Sequence, residues 1–310
     1  MTTPGTGKYE RLLERCRGIA PIPTSVAYPC DESSLSGAID AAKQGLIVPI
    51  LVGPAATIAD VAKSKGIDIS GAQVVDAPNS RAAAARAVEL VRLGQAELLM
   101  KGSLHSDEVL AAVIAKETGL RTGRRLSHAF LMDVPTYHKV LIVTDAAINI
   151  APTLEDKVDI CQNAIDLART FAVERPKVAI LAAVETVNSK MPATLDAAAL
   201  CKMADRGQIK GGQLDGPLAF DNAISREAAK TKGIVSDVAG DPDILLAPDL
   251  EAGNMMAKML SFLAGADSAG LVLGARVPVI LTSRADSVRS RIASCAVAVL
   301  AAHARRQAPR

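Results

Sequence analysis

Glu97-Leu98-Leu99-Met100-Lys101-Gly102-Ser103-Leu104-His105-Ser106-Asp107-Glu108 runs from a strand through a glycine loop into a helix start. The apolar residues to Met100 form the strand. Ser106-Asp107-Glu108 supplies a capping oxygen and first-turn acids ahead of the apolar run Val109 to Ala115. Short β-rich runs alternate with longer Ala-rich amphipathic segments along the chain, as strand, crossover helix, parallel strand units require. Further strands are expected at Ile47 to Val52, Val74 to Asp76, Ser127 to Val134, Lys139 to Thr144, Lys177 to Leu181, Asp243 to Leu246, Ala269 to Leu273 and Val277 to Thr282. Ser33-Ser34 and Asn79-Ser80 read as further helix caps. The fold class is α/β with doubly wound, mostly parallel sheets.

A chain of 310 residues, 49% apolar and 22% charged, is long enough to divide into two cores. Breaks near Thr122-Gly123 and Gly274 predict a discontinuous first domain, 1–122 plus 274–310, with a second domain, 123–273, inserted in it. A net charge of +2, 2% aromatic residues and no Trp leave neither a basic face nor a stacking platform for nucleic acid. Five scattered cysteines argue against a disulfide framework and for a reducing compartment. The charged first thirty residues and the absence of a long apolar run predict a cytoplasmic protein without a membrane partner.

Several chemistries lack their residues. Gly5-Thr6-Gly7-Lys8 imitates the end of a P-loop, but Tyr9 stands where Ser or Thr is needed and no strand precedes it. No GxGxxG follows a predicted strand, no GxSxG elbow occurs, and the four histidines have no metal-binding spacing, so neither a dinucleotide nor a metal is expected.

Three stretches remain. Lys101-Gly102-Ser103 lies where backbone N–H groups can approach an anion, although Gly102 and Ser106 also suit a plain turn and cap. Leu214-Asp215-Gly216-Pro217 reads as a turn bearing a carboxylate and leading into a helix with Asp221 as its cap, so that either a structural or a binding role is open. Thr282-Ser283-Arg284-Ala285-Asp286-Ser287 follows a buried-looking strand at the edge where α/β sheets bind ligands. There Arg284 offers a planar fork for phosphate, and Asp286 or Ser287 can cap the last helix.

Taken in order, these stretches resemble the phosphate acetyl/butyryl transferase family over nearly the whole chain. The resemblance rests on the Lys101 loop, Ser127-His128 to Val134-Pro135, Thr144-Asp145-Ala146-Ala147-Ile148-Asn149-Ile150-Ala151-Pro152, and Ala183-Val184-Glu185. Asp215-Gly216-Pro217, Pro248-Asp249-Leu250-Glu251-Ala252-Gly253-Asn254 and Ser283-Arg284 complete it. It implies a dimeric two-domain α/β enzyme with its active site in the interdomain cleft. The implied reaction is acyl-CoA plus phosphate giving acyl phosphate plus CoA, with no metal or organic cofactor.

By the same resemblance Ser283 lies near the reacting carbonyl and Arg284 binds phosphate, while Lys101, Gly102, Ser103, Asp215 and Gly216 line the phosphate and CoA side. Where some relatives carry an Asp a few residues after the Ser-Arg pair, this chain has Ser287, Val288, Arg289 and Ser290. Asp286 and Asp145 are therefore the candidate general bases. Acetyl-CoA is the expected donor, with a butyryltransferase as the alternative. The non-enzymatic alternative is an acyl-CoA-binding protein that has lost turnover. A cysteine-linked acyl-enzyme is the weaker mechanism, because Cys295 looks like a small buried apolar residue.

Overall fold

The computed structural model describes residues 7–282 and 286–307. The chain forms two compact units, one of Tyr9–Arg124 with Ala269–Arg310 and the other of Arg125–Ser268 with Met1–Lys8. The joints thus fall at 124/125 and 268/269, against the expected 122/123 and 273/274.

In chain order, α1 (Lys8–Cys16) is followed by β1 (Ile22–Ala27), α2 (Glu32–Lys43), β2 (Ile47–Gly53), α3 (Ala55–Lys65) and β3 (Gln73–Asp76). Next come α4 (Ser80–Arg92), β4 (Leu98–Lys101) and α5 (Ser106–Ile114). The second unit holds β5 (Ser127–Asp133), β6 (Leu141–Thr144), α6 (Leu154–Thr170), β7 (Lys177–Leu181), α7 (Pro192–Asp205) and β8 (Gln213–Leu218). It continues with α8 (Phe220–Ile224), α9 (Arg226–Thr231), β9 (Ile244–Leu246) and α10 (Leu250–Phe262). The chain closes with β10 (Asp267–Leu273), β11 (Val279–Ile280) and α11 (Val288–Gln307).

In the first unit the strand order is β3-β2-β1-β4-β11-β10. Every neighbouring pair is parallel except the last, where Leu271 faces Ile280 in antiparallel register. The second unit has the order β5-β6-β9-β7-β8, with β5 antiparallel to β6 and the remaining pairs parallel. Parallel strands need cover on both faces, which is why β4 and β6 are buried along their whole length. In the first unit α11 supplies much of that cover and is buried without a break from Ser290 to Ala302.

Two strands escape the sequence reading. β1 begins Ile22-Pro23, and a proline argues against an inner strand. Here Pro23 lies opposite Val48 and its carbonyl still accepts from Glu97 N at 2.8 Å. Asp215-Gly216-Pro217, expected as a turn, lies inside β8, at the end of its sheet order, where a proline is tolerated. The caps also differ. Asp31 caps α2 by accepting from Ser34 N at 2.8 Å, and His105 rather than Ser106 occupies the cap position of α5. Asn79 caps α4, and Ser287 rather than Asp286 caps α11 by accepting from Ser290 N at 3.0 Å. Asp221 sits inside the first turn of α8, whose cap position is Ala219.

Lys8 of the false P-loop is committed elsewhere. Its ammonium pairs with Asp133 at 2.9 Å and donates to the carbonyls of Val134 and Tyr137.

Gly253 lets α10 close onto the loop after β6. A Cβ there would collide with the Asp145 carbonyl and lie 3.2 Å from Ala146 Cα. A helical Gly→Ala change gains about 1 kcal/mol in propensity, but overpacking against backbone costs about 1–3 kcal/mol. Gly253→Ala is therefore expected to cost a net of up to about 2 kcal/mol of stability, seen as a lower urea midpoint. Gly123→Ala, where a Cβ meets no heavy atom within 4 Å, should leave the midpoint unchanged.

Candidate functional site

Each unit gathers polar groups at the carboxyl edge of its parallel strands, and each half is described by itself. In the first unit Ala27 of β1 faces Lys101 of β4, and Met100 faces Ile280 of β11, so the segments after these strands emerge side by side. Gly102 N donates to Ala27 O and Ser103 N to Tyr28 O, both at 2.8 Å. A Cβ on Gly102 would lie 2.5 Å from Tyr28 O, so only glycine allows this approach. Ser103 Oγ adds a bond to Tyr28 O at 2.9 Å and accepts from Cys30 N at 3.3 Å. Gly102 and Ser103 therefore stitch the loop to β1, and their N–H groups are not the free anion donors that the sequence suggests. The buried Lys101 carries the positive charge of the loop, its ammonium 3.3 Å from Gly102 O.

Ser283 and Arg284 lie outside the described residues. Asp286 is half-buried, and its carbonyl accepts from Arg291 Nη1 at 2.7 Å. The same Nη1 donates to Ser33 Oγ, in the first turn of α2, at 3.0 Å.

In the second unit the buried Asp145 closes the turn after β6. One carboxylate oxygen accepts from Ala147 N at 2.9 Å and Ile148 N at 3.1 Å, and the other from Asn149 N at 3.2 Å and Asn149 Nδ2 at 2.5 Å. Four donors occupy this carboxylate, which makes it an anchor for its own turn. Asn254 Nδ2 donates to Ala146 O at 3.0 Å, and Asp249 caps α10 by accepting from Ala252 N at 2.9 Å. The Thr144 and Pro248 stretches that carry the resemblance are thus packed on each other.

Sequence reasoning gave His128 no role. Ser127 Oγ accepts from Asn163 Nδ2 of α6 at 2.9 Å, so alternation along β5 sends His128 and Phe130 to the other face. Their rings meet edge to face with centroids 4.3 Å apart, and His128 Nδ1 has no partner. Burial pushes its pKa down to about 4 against an upward pull from Asp145, so the ring is neutral at pH 7.

Further along the same edge, Glu185 accepts from Lys232 Nζ at 3.0 Å and from Asn222 Nδ2 at 3.2 Å. The lysine bond is the main reason that the Glu185 carboxyl sits below its usual range. Asp215 and Gly216 do not join this edge. They face β7 inside the sheet, where a Cβ on Gly216 would lie 2.8 Å from Ile180 O.

A cavity of about 500 Å³ opens at the opposite, amino edge of this sheet, lined in part by Lys177, Arg226 and Asp241. It holds none of the expected residues, and Asp241 there is paired with Lys139, Lys177, Arg226 and His138. Among the described residues no group of three or more His, Cys, Asp or Glu side chains could hold a metal, and no helix is long and apolar enough to cross a membrane. Burial raises every cysteine pKa: to about 11 for Cys16 and Cys30, to about 12 for Cys201 and Cys295, and strongly for Cys161. None is a thiolate nucleophile in this state.

Two α/β units with polar groups at the carboxyl edges of their parallel strands define a class of protein that binds ligands beyond its strand ends. A family model described as phosphate acetyl/butaryl transferase matches residues 79–299. The chain is 63% identical over 301 residues to the phosphate acetyltransferase of Rhizobium meliloti, covering 97% of this chain and 95% of that one. It is 45% identical over 278 residues to the phosphate butyryltransferase of Clostridium acetobutylicum, covering 90% and 92%. A crystal structure of a branched-chain phosphotransacylase from Enterococcus faecalis superposes with a TM-score of 0.80 at 31% identity, covering 91% of this chain and 99% of that one. The chain belongs to the phosphate acetyl/butyryl transferase family.

The buried neutral His128 sets an acid limit. Below pH about 6.5 the unfolded histidine takes a proton that the folded one refuses until pH about 4. Stability is therefore full above that window and falls through it, by about 2 kcal/mol between pH 7 and pH 5. Urea titrations at both pH values should show this loss in the wild type and a smaller one in His128→Gln. Equal losses would mean that the ring is not held neutral.

Proposed function

We propose that this protein transfers an acetyl group between coenzyme A and inorganic phosphate, acetyl-CoA plus phosphate giving acetyl phosphate plus CoA. The observation that carries the reading is the 63% identity, over nearly the full length of both chains, to a phosphate acetyltransferase. The butyryltransferase alternative has the 45% relative in its favour. CoA and phosphate are substrates, and the reading calls for no resident metal or organic cofactor.

Transfer is direct. A carboxylate takes the CoA thiol proton, the sulfur attacks the acyl phosphate carbonyl, and the C–O bond to phosphate breaks with its electron pair leaving on the phosphate oxygen. In the other direction a phosphate oxygen attacks the thioester and the sulfur leaves. Arg284 holds the phosphate, and Ser283 stabilises the tetrahedral oxyanion, a contact worth about 3 kcal/mol. Of the two candidate bases, Asp286 is favoured, because the Asp145 carboxylate is taken up by its own loop. A thiol of pKa about 8.5 asks little of that base. The raised cysteine pKa values speak against an acyl-enzyme.

The protein acts in the cytoplasm as a homodimer. Met255, Met259 and Phe262 form one stripe on α10 that Leu263 at its C-cap extends, with Phe262 82% and Leu263 83% exposed. Such a stripe suits an isologous contact with a second copy. Met259→Glu with Phe262→Glu should reduce the mass seen by light scattering from two chains to one. An unchanged dimer would move the interface off α10.

The reaction is tested by thiol release from acetyl-, propionyl- and butyryl-CoA, with and without phosphate. Acetyl-CoA should lead in kcat/KM, and Arg284→Ala should cut the rate about 100-fold or more. Preference for butyryl-CoA would favour the butyryltransferase, and acyl-CoA binding without release would leave a binding protein.

A further inference from the structure

Arg291 stands in the first turn of α11, 8% exposed. Its Nη1 donates to Asp286 O at 2.7 Å and Ser33 Oγ at 3.0 Å, both neutral acceptors, and its Nε has no partner. The bare face of α2 at Gly37 makes room for it, since a Cβ there would lie 3.0 Å from Arg291 Cδ and 3.4 Å from Nε. Among the described residues no carboxylate pairs with this guanidinium. Two other buried cations are treated differently: Lys8 pairs with Asp133 at 2.9 Å and Lys157 with Asp196 at 2.6 Å.

A guanidinium keeps its charge at any working pH, and burying it without a counter-ion is costly. Its surroundings add positive potential. Ser33 lies in the first turn of α2, whose amino end carries the positive end of the helix dipole, and Lys101 closes β4 on the same carboxyl edge.

We propose that Arg291 belongs to a phosphate subsite of the transfer reaction, its charge balanced by the phosphoryl anion of the substrate and not by a carboxylate of the chain. The inference rests on the acyltransferase reading, and names a binding group for it besides the Ser-Arg pair. A phosphoryl group can reach this edge from inorganic phosphate, or its acyl ester, or as part of CoA. The first is assigned, and the kinetics separate the two.

Wild type, Arg291→Met, Arg291→Lys and Ser33→Ala are compared in thermal melts with and without inorganic phosphate, and in steady-state assays varying phosphate and acetyl-CoA separately. If the charge waits for phosphate, Arg291→Met melts at or above the wild-type temperature without phosphate and loses most of the phosphate-induced rise. Its KM for phosphate climbs at least tenfold, while that for acetyl-CoA stays within twofold. Arg291→Lys recovers part of the loss. Ser33→Ala, which removes a neutral acceptor and leaves the charge, keeps the phosphate-induced rise.

A fall in melting temperature with the phosphate response intact, shared by Arg291→Met and Ser33→Ala, would overturn the proposal and leave Arg291 a pin between α11 and α2. A rise confined to the acetyl-CoA KM would overturn the phosphate assignment. Should Arg291→Met not fold, an unaltered phosphate KM in Arg291→Lys, with a lost response in Ser33→Ala, overturns it as well. Absence of phosphate-dependent release in the wild type would sink the acyltransferase reading itself, which is a distinct result.

Discussion

A parallel strand buried on both faces has no side chain to spare for chemistry, and this constraint governs both units. Helices cover the faces, so polar groups collect where strands end. There each buried charge must be matched or it unfolds its surroundings. Asp145 meets the demand with four donors from its own turn, and Lys8 does so with Asp133 and two carbonyls. A carboxylate so fully engaged holds a loop and has no lone pair to spare for another partner. The same reasoning makes Arg291, whose acceptors are neutral, the conspicuous group of its unit.

Glycine sets how near the loops can come. At Gly102 the chain runs against the Ala27 and Tyr28 carbonyls, and at Gly253 a whole helix comes down on Asp145. Both glycines lie in stretches that carry the family resemblance, and both are explained by backbone contact without a ligand. Lys101 is presented at the strand end because Gly102 and Ser103 spend their N–H groups on β1. Positioning a cation and stitching the loop are thus one arrangement.

The α/β class was legible because inner strands must be apolar and the helices between them amphipathic. Strands with plain apolar text, such as Ile47–Gly53 and Lys177–Leu181, could be read directly. β1 and β8 could not, because Pro23 and Gly216-Pro217 speak locally for turns while their tertiary neighbours hold them in strands. Caps were misplaced where several oxygens compete: Asp31, Ser33 and Ser34 all lie at the start of α2, and only geometry selects Asp31. His128 and Arg291 left little trace in sequence. One is a histidine on a strand and the other one of several arginines near the last helix, and what sets them apart is a missing partner, a property of three dimensions.

That distinction bears on the chemistry. Direct transfer needs a base of modest strength and an electropositive place for phosphate, and the two demands conflict if they meet on one carboxylate, since pairing with a cation lowers its basicity. In the first unit Arg291 reaches Asp286 at the carbonyl oxygen. A guanidinium held by neutral acceptors keeps its charge for an incoming anion. In the second unit Asp145 is spent on structure, and the neutral His128 beside it adds no second charge to that edge at pH 7. On the proposed reading the anion would be held by a guanidinium whose protein acceptors are neutral, so that holding phosphate would not require breaking an ion pair first.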